Sequence, residues 1–333
     1  TLILLFGLGL ISFDWMVKAL SIIYGMSVLL LLGFLILKYD FKFVLKFKNL
    51  GREIKREMFK FGGNLLLVAF GGTVATQIFF LLVSVYIGLD ANGIFTTCFY
   101  VATVIEMPKR SMLQVIVPIF AKEFKADNIV EINKLYKRSS ITLSVASILI
   151  LLGVITNLDD LFHIIPKGEI FREGIMVVIL ISTSKVIDLM FGFNSEIINY
   201  SKHYRSLLVF TTVYAVITLI SCFLLIPAFG IDGAAWSFLI SIVIYNITKY
   251  LFLRIKLNLS PFGKEHLILI ILGILIYLAF YYIPFGLEPL FNIISKSILI
   301  TLIYSLIVYF LKISPDINKL VNQIINKLFK INA

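Results

Sequence analysis

Ten predominantly apolar stretches, at roughly 1–13, 16–37, 62–87, 93–118, 139–157, 172–198, 206–226, 232–253, 267–284 and 290–311, alternate with polar connectors along the chain. Most approach the length of about 20 residues with which a helix crosses a hydrocarbon layer. Backbone polar groups in lipid must be satisfied within each segment, and no run of about ten alternating residues suggests a barrel strand. The pattern therefore predicts an all-α polytopic membrane protein with about ten transmembrane helices. A composition of 60% hydrophobic residues and a mean hydropathy of +1.00 exceed what the core of a soluble domain requires.

Charge follows the connectors. Those after the second, fourth, sixth, eighth and tenth stretches hold 22 of the 30 Lys and Arg residues, eight of them between Lys38 and Lys60; the opposite connectors hold Lys18, Lys167 and Arg172. The positive-inside rule places the basic side, including the C-terminus, in the cytoplasm. The net charge of +11 is then a topology signal with added attraction to anionic headgroups, and implies no nucleic-acid partner. The first stretch is short and starts at Thr1 without an initiating Met, a basic flank or a signal-peptide cleavage pattern, so upstream residues are expected.

Two segments have amphipathic spacing. Leu50, Ile54, Met58 and Phe61 share one helical face while Arg52, Lys55, Arg56 and Lys60 lie elsewhere, which suits a helix in the membrane interface. After Ser314 and Pro315, fitted to N-cap and N1, residues Ile317, Leu320, Val321, Ile324, Ile325 and Leu328 repeat that arrangement as a membrane-surface or partner-binding helix.

Charged residues inside the apolar stretches are the candidate chemistry. The fourth stretch contains Glu106-Met107-Pro108-Lys109-Arg110, and at about 2.5–3.5 kcal/mol each its ionisable groups must face protein or water. Thr103, Glu106, Arg110 and Gln114 recur at helical spacing, and Pro108 opens the backbone ladder beside them. A Glu106–Arg110 pair that leaves Lys109 to another helix and a cationic lining for an anionic substrate are both compatible with this spacing. In the sixth stretch, Ser182-Thr183-Ser184-Lys185 precedes Asp188, with Gly192 and Asn199 continuing the face. Lys185–Asp188 is either an internal pair or a pair of cavity groups. Lys249 is expected to snorkel, Lys296 to snorkel or join a cavity, and Gly62-Gly63 and Gly71-Gly72 to serve helix packing, with Gln77 as a cavity candidate.

Cys98 and Cys222 lie within apolar stretches, as buried thiols rather than a disulfide. His163, His203 and His266 lack metal-site spacing, so neither a metal nor a cofactor is expected. Asp159, Asp160 and His163 occupy the one sizeable outer connector without a convincing partner, and no catalytic residue is assigned.

Gly230-Ile231-Asp232-Gly233-Ala234-Ala235-Trp236-Ser237, following Ile226-Pro227, resembles a turn of the polysaccharide and O-antigen flippases, within the multidrug, oligosaccharidyl-lipid and polysaccharide exporter superfamily. Gly88-Leu89-Asp90-Ala91-Asn92-Gly93-Ile94-Phe95, Pro118 and Lys134-Leu135-Tyr136-Lys137-Arg138-Ser139 are similar to that family in order and spacing. The resemblance implies two six-helix lobes around a cavity in a protein of twelve to fourteen helices, of which this chain covers the C-terminal part. Residues 1–37 would be the last two helices of a first lobe, 38–61 a basic cytoplasmic linker with an interfacial helix, and 62–255 a six-helix second lobe. Residues 256–312 would add two helices, and 313–333 a basic amphipathic cytoplasmic tail.

The function so implied is non-enzymatic: translocation of a polyprenyl-diphosphate-linked oligosaccharide across the bacterial cytoplasmic membrane for surface polysaccharide or lipopolysaccharide synthesis. Lys109, Arg110, Lys185 and Gln77 become candidate substrate contacts, and Glu106 and Asp188 ion-coupling or orienting groups. Membrane lipids and other polysaccharide-assembly membrane proteins are the implied partners. The alternatives are an ion-coupled multidrug exporter of the same superfamily and a membrane-embedded glycan polymerase or acyltransferase. Single cysteines at Asn49 and Asn332 are expected to escape an impermeant thiol reagent in intact cells, while one at Lys167 reacts; labelling at Asn49 from outside overturns the topology.

Overall fold

The computed structural model describes residues 12–39, 51–165, 168–281 and 288–328. Most of the 1–13 stretch, all of the 40–50 connector and the positions Lys167, Asn49 and Asn332 lie outside them. The described residues are helical almost throughout, with no strand among them. In chain order they form α1 (Phe13–Tyr39), α2 (Arg52–Tyr86), α3 (Leu89–Thr103), a 3-10 turn (Val104–Glu106), α4 (Met107–Lys125), α5 (Ile129–Ile155) and α6 (Leu158–Ile164). There follow α7 (Gly168–Phe171), a second 3-10 turn (Arg172–Gly174), α8 (Ile175–Met190), α9 (Asn194–Tyr200), α10 (Ser206–Leu257), α11 (Lys264–Tyr281), α12 (Pro289–Phe310) and α13 (Pro315–Leu328).

Six of these helices are long and apolar enough to cross a membrane, or seven if the bent pair 168–190 and 194–200 is one span. The protein is a multi-pass, all-α membrane protein; ten separate spans are not distinguished among the described residues, which leave out most of the first, and several of the expected stretches are interrupted or merged. The 93–118 stretch is interrupted at its charges by the 3-10 turn, with Pro108 in the first turn of α4 where its missing N–H removes no helical bond. The 172–198 stretch breaks by 43° around Gly192, whose φ is 62°. Gly192 and Asn199 therefore do not continue the α8 face.

The 206–226 and 232–253 stretches form one 52-residue helix by hydrogen bonding, yet the chain reverses within it at Gly230 (φ 61°, ψ −137°). A straight helix would separate Ser221 from Ser241 by about 30 Å; their hydroxyl oxygens are 3.4 Å apart. The Tyr214–Tyr245 and Phe210–Phe252 ring centroids meet at 5.0 and 5.2 Å, so the two arms pack antiparallel about a point near Ile231. Gly233 is required by this close approach: a Cβ there would sit 2.0 Å from the Leu225 carbonyl oxygen. Ala234 and Ala235 are fully buried just beyond it.

Contacts divide the chain after Lys60. Before that boundary, α1 is apolar on all sides and exposes Leu29, Leu30 and Leu31, as a lipid-facing helix does; Asp14 and Lys18 pair across one turn at its start. The separate interfacial helix expected over 50–61 is not found, because α2 runs from Arg52 to Tyr86 with no proline to stop it.

From Phe61 onward three apolar clusters hold the bundle. One joins α2, α3, α6, α8 and α10 through Phe79, Phe99, Phe162 and Phe238. A second joins α5, α8, α11 and α12 around Ile148, Leu269 and Tyr304. A third joins α4, α5, α9 and α10 around Phe120, Tyr136 and Phe193. Of the paired glycines in α2, only Gly71 makes a close contact, its Cβ position lying 3.1 Å from the Thr211 methyl. Cys98 and Cys222 are free and buried.

The C-terminal α13 begins at Pro315, as the spacing predicts, and the Ser314 carbonyl accepts from the Asn318 amide. Arg138 of α5 grips Asp316 through both Nε and Nη2, and Ile317 packs against the second cluster.

Gly233→Ala is expected to lower stability by about 1–3 kcal/mol, because the Leu225 backbone must move. Gly153→Ala, whose Cβ would meet nothing within 4 Å in the last turn of α5, is expected to raise it by up to about 1 kcal/mol. Thermal unfolding of the purified variants in one detergent compares the two.

Candidate functional site

Two short polar motifs of opposite charge order meet inside the bundle. Glu106 ends the 3-10 turn and Lys109 lies in the first turn of α4; Lys185 and Asp188 stand three residues apart on α8. On each helix a spacing of three puts both side chains on one face. Glu106 then faces Lys185 and Lys109 faces Asp188, so residue numbers rise together across the contact and the two segments run the same way. Opposite charges are brought into register by the reversal of sign, acid then base against base then acid.

Lys185 Nζ lies 2.5 Å from Glu106 Oε1, and Lys109 Nζ 2.8 Å from Asp188 Oδ2. These four side chains are between 11% and 23% exposed. Glu106 also accepts from Arg110 Nη2 at 3.2 Å through its second oxygen, and Arg110 remains 70% exposed. The Lys185 ammonium further lies over the rings of Phe238 and Phe99, 4.8 and 5.4 Å from their centroids. Such faces favour a cation where water is scarce.

The Glu106–Arg110 contact expected from the sequence is present, and Lys109 does reach another helix. Of the two readings left open for Lys185 and Asp188, the internal pair is not formed, because each has a partner on the neighbouring segment. Gln77 is not brought to the cluster: it is exposed on α2 and makes no hydrogen bond among the described residues.

The structure adds members that sequence reasoning missed. Asp188 Oδ1 accepts from Asn246 Nδ2 at 3.0 Å, and Asn246 Oδ1 accepts from Asn194 Nδ2 at 2.8 Å. Lys249 does not snorkel. It is 1% exposed, donates to Ser195 Oγ at 3.0 Å, and holds its ammonium 3.6 Å from the centroid of the Tyr245 ring. The helix continues two turns beyond it to Leu257, and the packed arms and α9 cover it. Its spacing of three from Asn246 in a strongly apolar stretch was the available signal. Next to Ser195, Glu196 keeps one buried carboxylate oxygen without a hydrogen-bond partner among the described residues. The result is a continuous polar seam from Glu106 through α8 and α9 to Lys249.

The acidic connector at 158–171 also differs from the open loop expected. Leu158 and Phe162 are buried and anchor α6. Asp160 accepts from Lys296 at 3.1 Å and from Asn292 at 2.8 Å, and Asp159 pairs with Arg172 at 3.1 Å. Lys296 is thereby a tie between α12 and α6 rather than a snorkelling end.

Double-mutant cycles on purified protein are expected to give coupling of about 0.5–3 kcal/mol for Lys109/Asp188 and for Glu106/Lys185. Lys185/Asp188 should couple more weakly; the reverse order would restore the internal α8 pair. Compared with known proteins, the chain matches no family model, no curated protein and no solved structure.

Proposed function

We propose that this protein is a flippase subunit or segment that moves a polyprenyl-diphosphate-linked oligosaccharide across the bacterial cytoplasmic membrane for surface polysaccharide synthesis. The observation that carries the reading is the charged seam inside an apolar bundle. Intramembrane ionisable groups cost several kcal/mol unless paired, and where they occur they mark transport paths more often than structural ones. Support also comes from the tight Gly230–Gly233 reversal, at the residues that resemble the family's turn.

In this reading the seam handles an anion by exchange of partners. Arg110, exposed beside Glu106, makes the first contact with a diphosphate oxygen. As the anion enters, Lys109 and Lys185 turn part of their charge from Asp188 and Glu106 to the substrate, and the carboxylates so released are available to a proton or cation. Alternate access then follows from movement of the segments that the crossed pairs hold together. No bond of the substrate is made or broken.

Export of cationic drugs is the weaker reading, since both acids of the cluster already face bases. Glycan polymerisation or acyl transfer is weaker again, because Asp159 and Asp160 are engaged by Arg172, Lys296 and Asn292.

In cells dependent on this protein for lipid-linked glycan export, Lys109→Ala/Arg110→Ala is expected to reduce export at least tenfold and by a clearly larger factor than it reduces abundance. Equal losses of export and abundance would assign the cluster to folding alone.

A further inference from the structure

A cavity of about 730 Å³ opens where α4, α9 and α10 end and α5 begins. Three lysines from three chain segments line it: Lys125 as the last residue of α4, Lys202 just after α9, and Lys256 next to the end of α10. None forms a salt bridge or hydrogen bond among the described residues, in contrast to Lys109, Lys134, Lys137, Lys185 and Lys296. Asp127 is the one carboxylate in the lining, which leaves two positive charges in excess.

Lysines gather at helix C-termini to offset the negative end of the helix dipole, but these three do not cap. The Lys122 and Glu123 carbonyls at the end of α4 accept from the amides of Ala126 and Asn128. Ile198 of α9 accepts from the amide and hydroxyl of Ser201, and Leu253 of α10 from the amide of Leu259. With those carbonyls satisfied by the chain itself, the ammonium groups remain free for an external anion. Asp127 and Asn258 adopt left-handed backbone, with φ of 52° and 54°, at the two sharp turns beside the cavity.

The remaining lining is divided. Tyr200 and Asn258 offer neutral hydrogen-bonding groups, while Phe124, Ile129 and Ile255 form an apolar side. A cationic, partly apolar cavity at the ends of membrane helices matches an amphiphile whose anionic head lies next to its hydrocarbon. Lysine supplies point charges suited to phosphate oxygens that need no planar fork.

We infer that this cavity binds the phosphate headgroup of a membrane lipid, a chemistry shared by anionic phospholipids and polyprenyl diphosphates. The inference does not depend on the transport reading: a phospholipid would make the cavity an anchor at the interface, and a polyprenyl diphosphate would make it a loading site.

The test titrates dihexanoyl phosphatidylglycerol, dihexanoyl phosphatidylcholine and farnesyl diphosphate onto the full chain in detergent, with binding read by phosphorus NMR. Lys125→Gln/Lys202→Gln/Lys256→Gln is expected to weaken the anionic ligands about 100-fold, or about fivefold per lysine. Lys134→Gln/Lys264→Gln/Lys319→Gln, with the same change in net charge, should alter them less than twofold. Should the first triple variant aggregate, its three single changes should each show the fivefold loss. Lysine-dependent binding of farnesyl diphosphate at least tenfold tighter than phosphatidylglycerol identifies the diphosphate carrier as the source, and a smaller difference identifies bulk phospholipid. Equal weakening by both triple variants, or none by the first, overturns the site.

Discussion

The bundle is organised around a charge-matching constraint: two acids and two lysines sit where water is scarce, and each must find its opposite on the neighbouring segment. Glu106 with Lys185 and Lys109 with Asp188 satisfy it only if α4 and α8 run the same way and in one register. A slide by one helical turn would set like charges against each other, so the pairs specify alignment as well as offsetting burial. The 3-10 turn and Pro108 belong to the same solution, since they place Glu106 and Lys109 together at a break in the helix.

Around that seam the packing is conventional, but its tightness depends on small residues at reversals. Gly230 supplies the unusual backbone angles and Gly233 the close approach that fold α10 back on itself. The antiparallel arms then bury Asn246 and Lys249 against α9, which extends the polar seam well beyond the two pairs. Lys249 makes its direct contacts with a hydroxyl and a ring face rather than with a carboxylate, unlike the lysines of the two pairs next to it. Next to Ser195, one oxygen of Glu196 has no hydrogen-bond partner among the described residues.

The two ends of the bundle have different fastenings. At one, Lys296 and Asn292 tie α12 to α6 through Asp160. At the other, Arg138 fixes the start of α13 to α5, while three lysines remain unpaired around the cavity between α4, α9 and α10.

The sequence by itself determined the class of the fold, the residues that lie in apolar segments, and the amphipathic start of α13, because length, hydropathy and helical spacing are local properties. It also marked Glu106, Lys109, Lys185 and Asp188, since a charge in an apolar run stands out wherever its partner is. It did not determine which charge meets which. Lys185 and Asp188 satisfy the spacing of an internal pair as well as that of two cross-helix pairs, and only the placement of α4 beside α8 selects the latter. The continuity of α2 through Phe61, the break at Gly192 and the burial of Lys249 likewise depend on neighbours distant in sequence. Periodicity records what each helix can present, whereas the choice among partners is made by packing, which no single segment contains.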